Sequence, residues 1–238
     1  MAKPGSAGHV GVRSGPESAV TRAALTEAAI ATLQEEGFAG ASARAIARTA
    51  GSNQALVFYH FGSVVNLLLA ALDETSRRRM ERYSEAVEAA GGIEELVEVA
   101  ATIFRQDLDG GHLSVLAEMI AGASSVPGLG DEVATRIDPW ITFTEGAISR
   151  VTGSGPLATL LPVSDVAYAI VALYLGIEML AHLDGDRSRA ESLFSTAKHV
   201  ADLLAGLFAP AGASAPSRTS GEAASGPHAR THSKEQLG

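Results

Sequence analysis

The chain contains no cysteine. That excludes a disulfide framework, a thiolate metal site and a thiol nucleophile, and it fits a cytoplasmic protein. Aromatic residues are scarce at 5%, with a single tryptophan among 238 residues. The alternating apolar–polar runs that mark strands are missing, and so are internal repeats. There is no Gly-rich phosphate loop and no nucleophile elbow, so no catalytic residue and no cofactor is assigned. His182, Asp184 and Asp186 offer potential metal ligands without a fourth at fitting spacing, and they read as a turn with helix caps, with no metal. The first twenty residues carry Gly, Ser and Pro and no apolar run, so no signal peptide is expected. The richest apolar stretch, Val166–Leu183, is interrupted by Tyr168, Gly176, Glu178 and His182 and reads as too polar for a membrane span.

What is present is alanine-rich and 46% hydrophobic. That composition suits helices packed closely through small side chains. The net charge of −9 argues against a general nucleic-acid coat protein. Its distribution is uneven. Residues 1–62 carry +1, residues 63–210 carry −11 and residues 211–238 carry +1. A DNA reader at one end of such an acidic body would bind non-specific DNA weakly, in an orientation enforced by charge.

Capping residues and glycine breaks divide the chain into helices only. Residues 1–17 read as a disordered arm, in which Lys3 and Arg13 read as solvated sooner than as a minor-groove contact. Residues 18–64 hold three helices, 65–209 a helical body, and 210–238 a disordered tail. Ser18–Glu36 is the first helix, stopped by Gly37. Ser42 caps a short helix to Ala50, Gly51 turns the chain, Asn53 caps a second short helix to about His60, and Ser63 caps a long one to about Ala89. Ile93–Leu108 and His112–Ser124 follow. Leu129 to about Val151 should be kinked or divided by Pro139. Val163–Leu183 and Arg187–Phe208 close the fold.

The segment Ser42–Phe61 is the informative one. Two helices of about two turns flank Gly51, and neither is stable alone. Ala47 is small enough to let them cross steeply, and Gly51 supplies the turn. Ile46, Ala50, Val57 and Phe61 can face Leu25, Ala29 and Leu33, which turns Gln54, Ala55 and Tyr59 outward. A helix so presented fits a major groove. Gln54 can pair with an adenine edge, Ala55 can touch a thymine methyl, and Arg44 can reach guanine or phosphate. Asn53, Tyr59, His60 and the hydroxyls of Ser42 and Ser63 complete the candidate DNA contacts, with the helix N-terminus after Ser63 available to a phosphate.

From Arg22 to about Leu72 the sequence resembles the TetR family of bacterial repressors, in Ala28-Ala29, Gly37-Phe38, Ile46-Ala47, Ala50-Gly51, Phe58-Tyr59-His60-Phe61 and Gly62-Ser63. The run Asn53–Val64 resembles actinobacterial members. Val64 stands where the family often has Lys, Phe58 where it usually has Tyr, and Ser52 where it usually has Val. The resemblance implies an all-α fold with a three-helix DNA-binding head, a helical body that binds a small-molecule effector, and a homodimer through the helices 163–183 and 187–208. A double-stranded, pseudo-palindromic operator follows from the two-fold symmetry. The rival readings are a helical enzyme or ligand carrier whose helix pair is structural, and an activator in place of a repressor.

Phe104, Met119, Trp140, Phe143 and Glu178 are the candidate effector contacts, with Glu118, Glu145, His112 and His182 as further polar groups. The scarcity of basic residues in the body points to a neutral or cationic apolar effector. Arg77, Arg78, Arg79 and Arg82 read as a solvated face paired with Glu74, Glu81 and Glu85.

Overall fold

A computed structural model describes residues 15–110, 112–153 and 162–208; the expected tail at 210–238 and all but the end of the arm at 1–17 lie outside the described residues. Among the described residues the secondary structure is helical, in ten helices. The first, α1 (Pro16–Gly40), opens with proline in its first turn and Glu17 at its N-terminus, both favourable there. Gly37 interrupts it with a φ of 70°, a left-handed conformation that glycine takes at little cost. The expected stop at Gly37 is thus a break, after which a last helical stretch leads to Ala41.

Two short helices follow, α2 (Ala43–Thr49) and α3 (Ala55–Phe61), and then the long α4 (Val64–Ala89). The sequence places their caps well. The Ser42 hydroxyl accepts from Ala45 N at 3.2 Å, and the Ser63 hydroxyl from Asn66 N at 3.0 Å. Asn53 Oδ1 accepts from Ala55 N at 2.9 Å, one residue ahead of α3.

The body continues as α5 (Ile93–Gly110), α6 (His112–Ala123), α7 (Leu129–Thr135), α8 (Asp138–Thr152), α9 (Val163–Asp184) and α10 (Ser188–Phe208). Pro139 divides the expected single helix: it sits in the first turn of α8, where a missing N–H costs nothing. Before α10, Asp186 Oδ1 accepts from Ser188 N at 2.9 Å, as a turn with a helix cap requires.

One hydrophobic core runs from head into body. Leu25, Leu33, Ile46, Val57, Leu67, Val115, Met119 and Leu129 belong to it and are almost wholly buried. Each large side chain so buried contributes roughly 1.5–3 kcal/mol over its exposed state. The inward and outward faces expected for α2 and α3 are both observed. Val57 and Phe61 are buried and Ala50 is partly so, whereas Gln54, Ala55 and Tyr59 are exposed. A second, smaller cluster joins Phe104 of α5 to Ala181, Ala190 and Phe194 of the last two helices.

By length and composition Val163–Ala181 is apolar enough to cross a membrane, although only 11% of it is buried in the chain. Its inner side packs on α8 and carries buried Glu178. Its outer side leaves Tyr168, Leu173, Leu180 and Leu183 exposed, and Leu193, Val200 and Leu203 of α10 are exposed as well.

Candidate nucleic-acid interface and ligand pocket

The helix pair is fixed by its turn. Gly51 adopts a φ of 60°, its N–H bonds Arg48 O at 3.1 Å, and Ser52 N bonds Ala47 O at 2.9 Å. Ala47 is buried under this crossing, as a small residue must be. At the far end of α3, Gly62 takes a φ of 76° and donates to Phe58 O at 2.9 Å. Asn66 Nδ2 then donates to Phe61 O at 2.9 Å, joining the end of α3 to the start of α4.

Arg22 of α1 secures the same corner, a role the sequence reading did not assign. Its guanidinium donates to His60 O at 2.8 Å and lies over the Phe61 ring, 4.3 Å from the centroid. Arg48 is held by Glu36 at 2.6 Å. Among the described residues of the head, Arg44 is the arginine without an ion pair or hydrogen bond, and it is exposed. Tyr59 is 62% exposed and its ring meets that of half-buried His60 edge-on. Phe58, which the sequence marked only as a departure, is 52% exposed beside it. Gln54, Ala55, Phe58 and Tyr59 therefore form an outward strip on α3, flanked by Asn53 and by the capping hydroxyls of Ser42 and Ser63.

The body encloses a cavity of about 380 Å³ between α4, α5, α6, α8 and α9. Trp140 and Phe143 line it, with Leu96, Ile103, Ile170 and Leu175 among its apolar walls. Two other aromatic or sulfur candidates have different places. Met119 is fully buried in the main core, and Phe104 is buried against Tyr174 and Phe194; neither lines the cavity. Glu145 is partly buried, and the side chains of His112 and His182 lie outside the described residues.

Arg79 corrects the picture of a solvated arginine face. Arg77 and Arg78 do pair with Glu74, Glu81 and Glu27 near the surface. Arg79, by contrast, turns inward, lines the cavity and binds Asp107. Helix geometry explains the split. Successive side chains are about 100° apart, and Arg79 falls on the stripe of Leu68, Leu72, Thr75, Tyr83 and Val87, all buried. That spacing was the available signal.

Around Arg79 sits a buried polar cluster. Tyr83 donates to Asp107 Oδ1 at 2.9 Å and Tyr174 to Oδ2 at 3.2 Å. Glu178 Oε1 lies 3.8 Å from the Arg79 guanidinium, and neither Glu178 oxygen has a hydrogen-bond partner. The buried Nε–H of Arg79 also lacks one. Burial pushes the Glu178 carboxyl up to about 7; Arg79 pulls it down and the charge of Asp107 pushes it up further. Burial works to lower the Arg79 pKa, but the charges of Asp107 and Glu178 outweigh it and leave it raised. Burial and then the Asp107 hydrogen bond push the Tyr83 phenol up to about 12.

Glu118 has a different partner altogether. Its Oε2 accepts from Phe38 N at 2.7 Å, directly after the left-handed break at Gly37. It ties α6 of the body to the end of the first helix.

The described residues thus form a helix-turn-helix head on a helical body with an internal cavity. Residues 25–71 match the family model for bacterial regulatory proteins of the tetR family. An uncharacterised HTH-type transcriptional regulator of Mycobacterium tuberculosis is 32% identical over 103 residues, 43% of this chain and 53% of the relative. The chain thus spans about half the length of the curated relatives it matches. Among solved structures, a TetR-family regulator from Rhodococcus sp. aligns with a TM-score of 0.64 at 22% identity, covering 76% of this chain and 98% of the other. FadR from Bacillus subtilis, solved in complex with stearoyl-CoA, aligns with a TM-score of 0.64 at 14% identity, covering 75% and 96%. At such identities these two likenesses show the fold.

Proposed function

We propose that the protein is a cytoplasmic, homodimeric transcription regulator that represses from a pseudo-palindromic operator and releases it when a small molecule fills the body. The observation that carries this reading is the outward strip on α3. Val57 and Phe61 anchor the helix while Gln54, Ala55, Phe58 and Tyr59 stay in solvent. Gln54 pairs with an adenine edge, and Ala55 and Phe58 meet thymine methyl groups. Arg44, Tyr59, His60 and the Ser42 and Ser63 hydroxyls hold phosphates, with Asn53 beside them. Residues 18–64 act as the head and 65–209 as the effector-binding and dimerising body.

The second subunit covers the exposed apolar sides of α9 and α10, which places the two heads on successive major grooves. The effector occupies the cavity against Trp140 and Phe143, and the apolar walls suit a hydrocarbon portion such as FadR's ligand carries. Binding there favours one of two head spacings, so effector and DNA weaken each other by the same factor. No catalytic step is assigned.

The test is a gel shift with DNA from upstream of the protein's own gene, run over a salt series. Sequence-preferring binding that weakens with salt is expected, with Gln54→Ala relaxing the preference. Salt-independent or absent binding, together with turnover of a compound, would favour a helical enzyme or carrier instead.

A further inference from the structure

The chemistry of the cavity narrows its ligand, within the regulator reading, further than its size does. At about 380 Å³ it is at the small end of pockets that enclose drug-sized molecules. Two arginines line it, and both are committed. Arg136 is paired with Asp73 and Glu132 at 2.8 Å each. Arg79 is paired with Asp107 and sits 3.8 Å from Glu178. Two carboxylates thus already surround the one guanidinium at the polar end.

The hydroxyls in the wall are committed too. Thr75 donates to Leu72 O, Thr144 to Trp140 O and Thr152 to Ile148 O, all within 2.9 Å. Trp140 Nε1 donates to Ser76 Oγ at 2.7 Å. Among the buried donors of the wall, the Nε–H groups of Arg79 and Arg136 lack a hydrogen-bond partner, and that of Arg136 lies 2.8 Å from Asp73 Oδ1.

We propose that the cavity takes an uncharged, mainly apolar molecule and that it rejects carboxylates. An alcohol or a ketone adds no charge beside the cluster of Arg79, Asp107 and Glu178. A carboxylate would become a third acid around Arg79, buried and without a counter-ion of its own. An ammonium would lie beside two arginines.

Trp140 is the only tryptophan and lines the cavity, so its fluorescence reports occupancy directly. The full chain is titrated at pH 8 with decanol, decanoate and decylammonium, which share one hydrocarbon tail. Decanol is expected to change the emission at a concentration at least tenfold below either charged partner. Equal or tighter binding of decanoate or decylammonium overturns the proposal, as does no response to decanol.

Two variants place the effect. Ala147→Phe fills the cavity and should abolish the decanol response while circular dichroism stays unchanged. A retained response assigns decanol to an outer surface and also overturns the proposal. Glu178→Gln removes one acid and should narrow the decanol–decanoate gap several-fold; an unchanged gap counts against the charge argument. No DNA enters these measurements, so their failure and the failure of operator binding are separable.

Discussion

The ring of Phe38 lies against Gly122 so closely that a β-carbon built on Gly122 would sit 2.5 Å from it. One helical turn before Gly122, Glu118 holds Phe38 N, and a β-carbon on Gly37 would come within 2.9 Å of the same carboxylate. Head and body are therefore joined at a close-packed seam between α1 and α6. Leu116, also on α6, lines the cavity.

Gly122→Ala should open this seam. Overpacking of this kind costs roughly 1–3 kcal/mol, because the aromatic ring must move. A thermal melt checks the cost. Effector-induced release of DNA should weaken in the same variant; a melt and a release curve both unchanged would show that the seam carries no strain.

Gln54→Ala and Tyr59→Ala remove side chains that touch solvent. Gln54→Ala should lower operator affinity by about 1–3 kcal/mol, the worth of a bidentate base contact. Dimerisation and melting temperature should stay at their original values. Loss of the fold in either variant would contradict the exposure of α3, and full operator binding by both would remove these residues from the interface.

Glu178 should make stability depend on pH. Its carboxyl is pushed up to about 7 in the folded chain from an ordinary value of 4.5, in the company of Arg79, Asp107 and Tyr174. The folded state thus holds this proton more tightly than the unfolded state does. Its stabilising effect is complete below pH 4.5 and is lost as pH rises through 7, on the order of 3 kcal/mol in all. Denaturant melts at pH 6 and pH 8 should differ in that direction, and Glu178→Gln should flatten the difference. A steeper loss at pH 6 than at pH 8 in the parent, but not in the variant, would reverse the assignment.

Leu180 and Leu203 are 64% and 71% exposed, so acidic replacements there cost the single chain little. Leu180→Glu with Leu203→Glu should turn a dimer into a monomer, read by light scattering after size exclusion. A dimer that survives both changes places its interface elsewhere.

The head was legible because its geometry is written in local chemistry. Gly51 and Gly62 take positive φ where the turns fall, and Ser42 and Ser63 cap the helices they precede. The outward side of α3 follows from simple helical spacing. The cavity was harder to read. Trp140 and Phe143 line it, but Phe104 and Met119 are equally apolar and belong to packed cores, a distinction that depends on contacts between distant helices. Arg79 was read as solvated because three arginines in a row look like surface. Its register with Leu72, Thr75 and Tyr83 was the stronger signal, and the acid that pairs with it, Asp107, lies 28 residues further on.

Leu25 and Ile46 share their core with Val115, Met119 and Leu129. A cut after residue 62 would strip half the walls from that core, so the reading unit cannot be transplanted onto another regulator as a cassette. On the proposed function, new DNA preferences would be reached instead by altering the solvent-facing side chains of α3 in place, one position at a time.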